Sequence, residues 1–227
     1  MKINGFQKLT LLDFPGKMAC IVFTPGCNFR CPFCHNASLV THINEVSVSE
    51  EEIFTYLARR KGLLDGVVVT GGEPLLQSGL EDFLTKVKSL GYAVKLDTNG
   101  SFPSKLKALV NKGLVDYVAM DVKNSREKYA RTIGVNNPPL DEIDESIKFL
   151  ISGEVDYEFR TTVTAGLHTP TDIEKIAEWI KGAKKYFLQN FVDSGDLVSE
   201  GNEPVTSVIL NEMTAKAKQK GVPAKAR

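Results

Sequence analysis

The stretch "GCNFRCPFCHN" places three thiols, Cys27, Cys31 and Cys34, close together in the chain. Metal binding is the chemistry such spacing serves, because clustered thiolates hold zinc or iron–sulfur clusters where the cell keeps cysteines reduced. The C-x3-C-x2-C set is one ligand short of the usual four. His35 is the nearest candidate for a Cys3His zinc site, but it directly follows Cys34, and zinc motifs separate neighbouring ligands by two or more residues. A cubane iron–sulfur cluster accepts three thiolates and leaves one iron with an exchangeable position. Cys20 lies inside the apolar run "MACIVFT", where a lone cysteine is an ordinary small core residue. On the thiols alone the cluster is favoured over zinc, and both readings stand.

A second group is charged. Asp97 ends "YAVKLDT" and Asp121 lies at the end of "VDYVAMDV", so adjacent strand ends would bring two carboxylates together. Side by side they repel unless a cation or a proton lies between them, and strand-end polar residues of a barrel face its active mouth. Lys123 follows closely, as a site cation or as a solvated loop lysine. Arg160, inside "EFRTT", needs a partner if buried, and a ligand contact and a structural ion pair weigh equally. His168 precedes a helix and reads as a loop residue, His42 has no ligand spacing and reads as solvated, and Asn36 reads as a hydrogen-bonding support of the cysteine loop. The "TGGEP" at 70–74 is, taken alone, a tight turn before a helix.

The elements that must position these residues alternate. Strands are expected at 18–24, 67–70, 92–98, 115–122, 156–163 and 185–192, with helical periods between them. Leu80, Phe83, Leu84 and Val87 share one helix face, as do Leu106, Leu109 and Val110, then Ile143, Ile147 and Leu150, then Ile173, Ile176 and Ile180. Ser49 with Glu52 forms a capping-box pattern, Pro170 suits a first helical position, and Gly62, Gly91, Gly113, Gly153 and Gly182 suit helix ends. Six βα units in a row build a parallel sheet, doubly wound or rolled into a barrel. One domain over 1–227 is expected, with a core at about 16–192, then a loop and a closing helix at 206–219. The connection between the first strand and the Ser49 helix is far longer than the usual ~2–6 residues of a βα loop, and it carries all three clustered cysteines.

Composition is ordinary for a globular protein, 42% hydrophobic and 25% charged. Twenty-eight basic and 28 acidic residues cancel, which gives no support for a nucleic-acid surface. No run approaches the ~20 apolar residues of a membrane span, and no signal-peptide pattern opens the chain, so a cytoplasmic protein is expected.

Taken together, the cysteine triad after the first strand and "TGGEP" after the second resemble the radical S-adenosylmethionine (SAM) enzymes. "DFPGK" (13–17), "CHN" (34–36), "LDTNG" (96–100) and "MDVK" (120–123) resemble the branch that activates glycyl radical enzymes. Within it, the opening "GFQKLTLLDFPGKMACIVFTPGCNFRCPFCHN" is most similar to activating proteins of anaerobic ribonucleoside-triphosphate reductase, and the likeness runs from about residue 5 to 191.

The resemblance implies a partial (β/α)6 TIM-like barrel, one 4Fe–4S cluster on Cys27, Cys31 and Cys34, and SAM on the unique iron. His35 and Cys20 then drop out as ligands. Gly71, Gly72 and Glu73 would receive the methionine amino group, Lys123 would neutralise its carboxylate, and Asp121 would approach the ribose. As in pyruvate formate-lyase activating enzyme, Asp97, Thr98 and Asp121 with the backbone of Val122 would hold a monovalent cation. The histidine that some activating enzymes carry after the last strand is missing, Val192 standing near that point. With only Cys20 left over, the chain resembles the short type without a ferredoxin-like insert.

Cluster and SAM would carry the chemistry, with no side chain as general acid or base. The implied partners are a glycyl radical enzyme, anaerobic ribonucleotide reductase first, and a flavodoxin- or ferredoxin-type electron donor. The alternatives are another glycyl radical enzyme of the pyruvate formate-lyase type, a small-molecule substrate, or a Cys3His zinc scaffold without enzymatic activity.

Overall fold

The computed structural model describes residues 1–41 and 47–227, so His42 lies outside the described residues. The elements run β1 (Gly5–Thr10), β2 (Ala19–Thr24), α1 (Ala37–Thr41), α2 (Glu50–Arg59), β3 (Gly66–Gly71), α3 (Leu80–Ser89), β4 (Ala93–Thr98) and α4 (Pro103–Asn111). They continue with β5 (Tyr117–Asp121), α5 (Tyr129–Ile133), α6 (Leu140–Ser152), β6 (Asp156–Val163), α7 (Pro170–Trp179), β7 (Tyr186–Asn190), α8 (Ser207–Gln219) and β8 (Ala224–Ala226). Short 3-10 turns at Pro74–Leu76 and Arg126–Lys128 complete the set.

The strands form one sheet in sequence order, β1 antiparallel to β2 and every later pair parallel. Strands β2 to β7 are the six expected repeats. Strands β1 and β8 are additions at the two edges, unpaired with each other, so the barrel is partial and open. Neither carries a readable pattern: β1 has three consecutive exposed residues, Gln7, Lys8 and Leu9, and β8 is three residues long.

The apolar runs of the strands are buried on both faces, as parallel sheets require. Val67 and Val69 of β3 face the helices in the large core cluster, while Val68 turns to the concave side and packs with Ala19, Ile21, Tyr117 and Phe14. Phe14, from "DFPGK", is 2% exposed, and its ring stands 6.1 Å from that of Tyr117. The motif thus fills the lower concave face. A Cβ on Gly66 would meet this ring at 2.8 Å, so the strand is glycine where the plug lies on it. Ser49 accepts from Glu52 N at 3.1 Å with three glutamates in the first turn of α2, and Thr169 and Asp172 form a capping box ahead of α7.

Candidate active site at the carboxyl ends of the strands

A cavity of about 410 Å³ opens where β2 to β7 end, lined among others by Cys27, Cys31, Cys34, Gly71, Gly72, Asp97, Thr98, Asp121, Lys123 and Arg160. Of the side chains expected to hold the cluster and SAM, Cys27, Cys31, Cys34, Asp97, Thr98, Asp121 and Lys123 therefore meet, with Gly71 and Gly72 beside them. The exception is Glu73, which is 0% exposed and turned away. Cys20 is fully buried in the large core and does not line the cavity.

The cysteine loop is tied down on three sides. From the sheet side, Gly72 N donates to Thr24 O and Glu73 N to Gly26 O, both at 2.8 Å. The two glycines are needed for contact: a Cβ would come within 2.4 Å of Thr24 backbone from Gly71 and 1.9 Å of Gly26 O from Gly72. From the next strand, Asn99 donates to Asn28 Oδ1 at 2.9 Å and Asn28 to Ser101 Oγ at 2.9 Å. From the far side comes the loop after β7. There Ser199 N donates to Pro32 O at 3.0 Å, Ser194 Oγ to His35 O at 3.1 Å, and Ser38 Oγ to Asp196 at 2.7 Å.

The three thiols are free. Burial pushes the Cys27 thiol up to about 11 and that of Cys31 up to about 12, so a metal that binds them must displace protons. Donors already point at Cys27 Sγ, namely Phe29 N at 3.4 Å and Asn99 Nδ2 at 3.9 Å, as suits a sulfur that becomes a thiolate ligand. The ring of His35 stacks on Phe191 with centroids 5.4 Å apart. Among the described residues no three His, Cys, Asp or Glu side chains converge on a single ion. With His35 stacked on Phe191, the donors this loop offers to the cavity are three thiols, a set that suits a cluster with one exchangeable iron.

Glu73 faces inward. Its carboxylate accepts from Leu75 N at 3.0 Å, Thr98 Oγ1 at 2.9 Å and Asn99 N at 2.7 Å, so it staples β3 to β4 instead of facing a ligand. Burial outweighs these donors and pushes the carboxyl up to about 7. The surfaces of this motif that reach the cavity belong to Thr70, Gly71 and Gly72.

The strand-end charges form an alternating chain. Lys95 pairs with Asp97, Arg160 Nη1 donates to Asp97 Oδ2 at 3.1 Å, Arg160 Nε to Asp121 Oδ1 at 2.9 Å, and Lys123 Nζ to Asp121 Oδ2 at 2.8 Å. Burial alone would raise both carboxyls, but Arg160 first, with Lys123 for Asp121 and Lys95 for Asp97, holds them below the carboxylate range. Burial likewise opposes charge on Lys123, and Asp121 more than offsets it, so the ammonium stays charged. The Arg160 guanidinium stands between the two carboxylates, and the Thr98 hydroxyl serves Glu73. Each Asp121 oxygen accepts from one of these cations. His168 is buried and neutral, its Nδ1 accepting from Thr164 N and its Nε2 reaching Lys123 O at 2.8 Å, which makes it a support of the Lys123 backbone.

The model of the Radical SAM superfamily matches residues 21–184. The putative glycyl-radical enzyme activating enzyme MJ1227 of Methanocaldococcus jannaschii is 33% identical over 83% of this chain and 79% of its own length. The chain belongs to the radical SAM superfamily, among the glycyl-radical-enzyme activating enzymes. The pyruvate formate-lyase-activating enzyme of Listeria monocytogenes is 30% identical over 61% of this chain and 60% of its own. In fold, a domain of the pyruvate-formate lyase-activating enzyme from Bacteroides vulgatus superposes with TM-score 0.59 at 18% identity, over 72% of this chain and 99% of that one. The structure of anSMEcpe with bound AdoMet superposes with TM-score 0.63 at 17% identity, over 90% and 61%.

A radical SAM protein is defined by a 4Fe–4S cluster and SAM, and the thiols, glycine turn and cation of this cavity suit both. Its volume lies within the ~300–1,000 Å³ typical of small-ligand sites. Several contributors were not legible in the sequence. Asn99 was readable only as part of "LDTNG", and the residues 194–202 that clamp the radical SAM cysteine loop gave no signal beyond turn-like composition. Among the described residues no helix is long and apolar enough to cross a membrane.

Proposed function

We propose that this chain installs a glycyl radical on a partner enzyme, with anaerobic ribonucleotide reductase as the target. The observation that carries the reading is the convergence of three free thiols, a glycine turn and the Lys123 ammonium on one cavity at the open mouth of a parallel sheet. When bound, cluster and SAM supply a one-electron reductive cleavage that gives a carbon radical able to take hydrogen from a glycine. Cys27, Cys31 and Cys34 would hold the cluster, the backbone at Gly71 and Gly72 would receive the ammonium of SAM, and Lys123 would meet its carboxylate. Asp121 and Arg160 hold Lys123 and Asp97 in place, and Ile21, Phe23 and Val68 give the cavity an apolar wall. The unpaired edges of the sheet leave room for a substrate that is a protein loop. The electron would come from a flavodoxin- or ferredoxin-type protein.

The reductase is favoured by the opening stretch 5–36, and a lyase of the pyruvate formate-lyase type is the second reading, favoured by the named Listeria relative. Electron paramagnetic resonance separates them. The reconstituted protein, SAM and a reductant should give a glycyl doublet in anaerobic ribonucleotide reductase and none in the lyase. A doublet in the lyase alone would overturn the first assignment.

A further inference from the structure

The oxygens expected to hold a monovalent cation are all committed to protein donors. Asp97 Oδ1 takes Lys95, and Asp97 Oδ2 takes Arg160 at 3.1 Å and Thr70 Oγ1 at 3.3 Å. Asp121 Oδ1 takes Arg160 at 2.9 Å, and Oδ2 takes Lys123 at 2.8 Å. The Thr98 hydroxyl donates to Glu73 and accepts from Gly100 N at 3.1 Å, and Val122 O accepts from Thr161 Oγ1 at 2.6 Å.

We propose that Arg160 is the resident cation of this site, standing where a monovalent metal ion would otherwise bridge Asp97 and Asp121. Strand register makes the bridge. Asp121 and Arg160 are direct partners across β5 and β6, while Asp97 lies one strand further, opposite Ala119. Alanine at that point leaves the concave face low enough for the guanidinium to reach over β5. The planar fork then serves two carboxylates with two different nitrogens, which a single ammonium cannot do. The chain Lys95–Asp97–Arg160–Asp121–Lys123 already carries three cations against two anions, so a metal ion would add a second excess positive charge to a site whose side chains are 2 to 27% exposed.

The test has two arms, and only the second rests on the proposed SAM site. Apo protein is melted in potassium, sodium or tetramethylammonium chloride at equal ionic strength. A metal site filled at a hundred times its dissociation constant would raise Tm by roughly 5 to 10 °C. The wild-type protein should show no such difference between salts, and a rise specific to potassium or sodium would overturn the proposal. Arg160→Gln should acquire that rise, and a folded variant indifferent to the salt would also overturn it. If the glutamine variant does not fold, Arg160→Met, which removes the charge and keeps an apolar stem, is judged by the same criterion. In the second arm, reconstituted protein should bind SAM equally in potassium and tetramethylammonium, and tighter binding in potassium counts against the proposal. Failure to bind SAM in either salt would refute the proposed function and leave the melting result standing.

Discussion

Two causes pull the Glu73 carboxyl in opposite directions, and the substitution Glu73→Gln decides between them. Full burial disfavours the charge, whereas Asn99 N, Leu75 N and Thr98 Oγ1 favour it, and burial wins, raising the group from an ordinary 4.5 to about 7. A carboxyl raised on folding stabilises the protein below its unfolded value and loses that contribution as pH climbs through the folded one. The total is about 3 kcal/mol, most of which disappears between about pH 5 and pH 8.

Glutamine keeps the shape and abolishes the titration. One of its ends must be an amino group, so either Asn99 N or the Leu75 and Thr98 donors lose their acceptor, at a cost of about 1–3 kcal/mol. The variant should therefore be less stable than wild type at pH 5, and the gap should close or reverse by about pH 8. Urea unfolding of the reduced apo protein, followed through the single tryptophan, Trp179, measures it. Taking the difference between the two proteins removes the histidine contributions common to both. A gap that stays constant to within about 0.5 kcal/mol, or widens with pH, would refute the claim that burial dominates over the three donors.

The cysteines give a sharper pattern. Ala at Cys27, Cys31 or Cys34 should abolish the brown absorbance after anaerobic reconstitution together with SAM cleavage, while Cys20→Ala should keep both and lose some stability from the small core void; cluster loss in Cys20→Ala alone would reverse the ligand assignment. Gly72→Ala should drive its methyl into the Gly26 carbonyl and cost about 1–3 kcal/mol or more of stability, read by thermal unfolding, with reduced iron retention because the same contact anchors the cysteine loop.

The repeat was legible because the parallel strands are apolar on both faces. "VVVT" needs no alternation when Val67 and Val69 face helices and Val68 faces Phe14. The edge strands were not, because each has one partner and few buried residues: Gln7, Lys8 and Leu9 are exposed in succession. The site was legible as a set of motifs, since each chemical group sits at a strand end. How those groups pair was not, because pairing depends on register. Nothing in "EFRTT" reveals that Arg160 lies opposite Asp121, or that Ala119 opens a path to Asp97.

Register also explains why one turn can matter to the metal site without offering a side chain to it. The backbone of Gly72 and Glu73 holds Thr24 and Gly26, at the end of β2 and the start of the cysteine loop. The Glu73 carboxylate holds Asn99, and the Asn99 amide holds Asn28 and points to Cys27. A displacement at any of these points therefore moves Cys27 relative to the sheet. These polar links tie the loop to the sheet, and held geometry is what a site needs when its chemistry belongs to the cofactor and the protein supplies position. A carboxylate that faced the ligand could help bind it. Turned inward, Glu73 determines where the cysteine loop can stand.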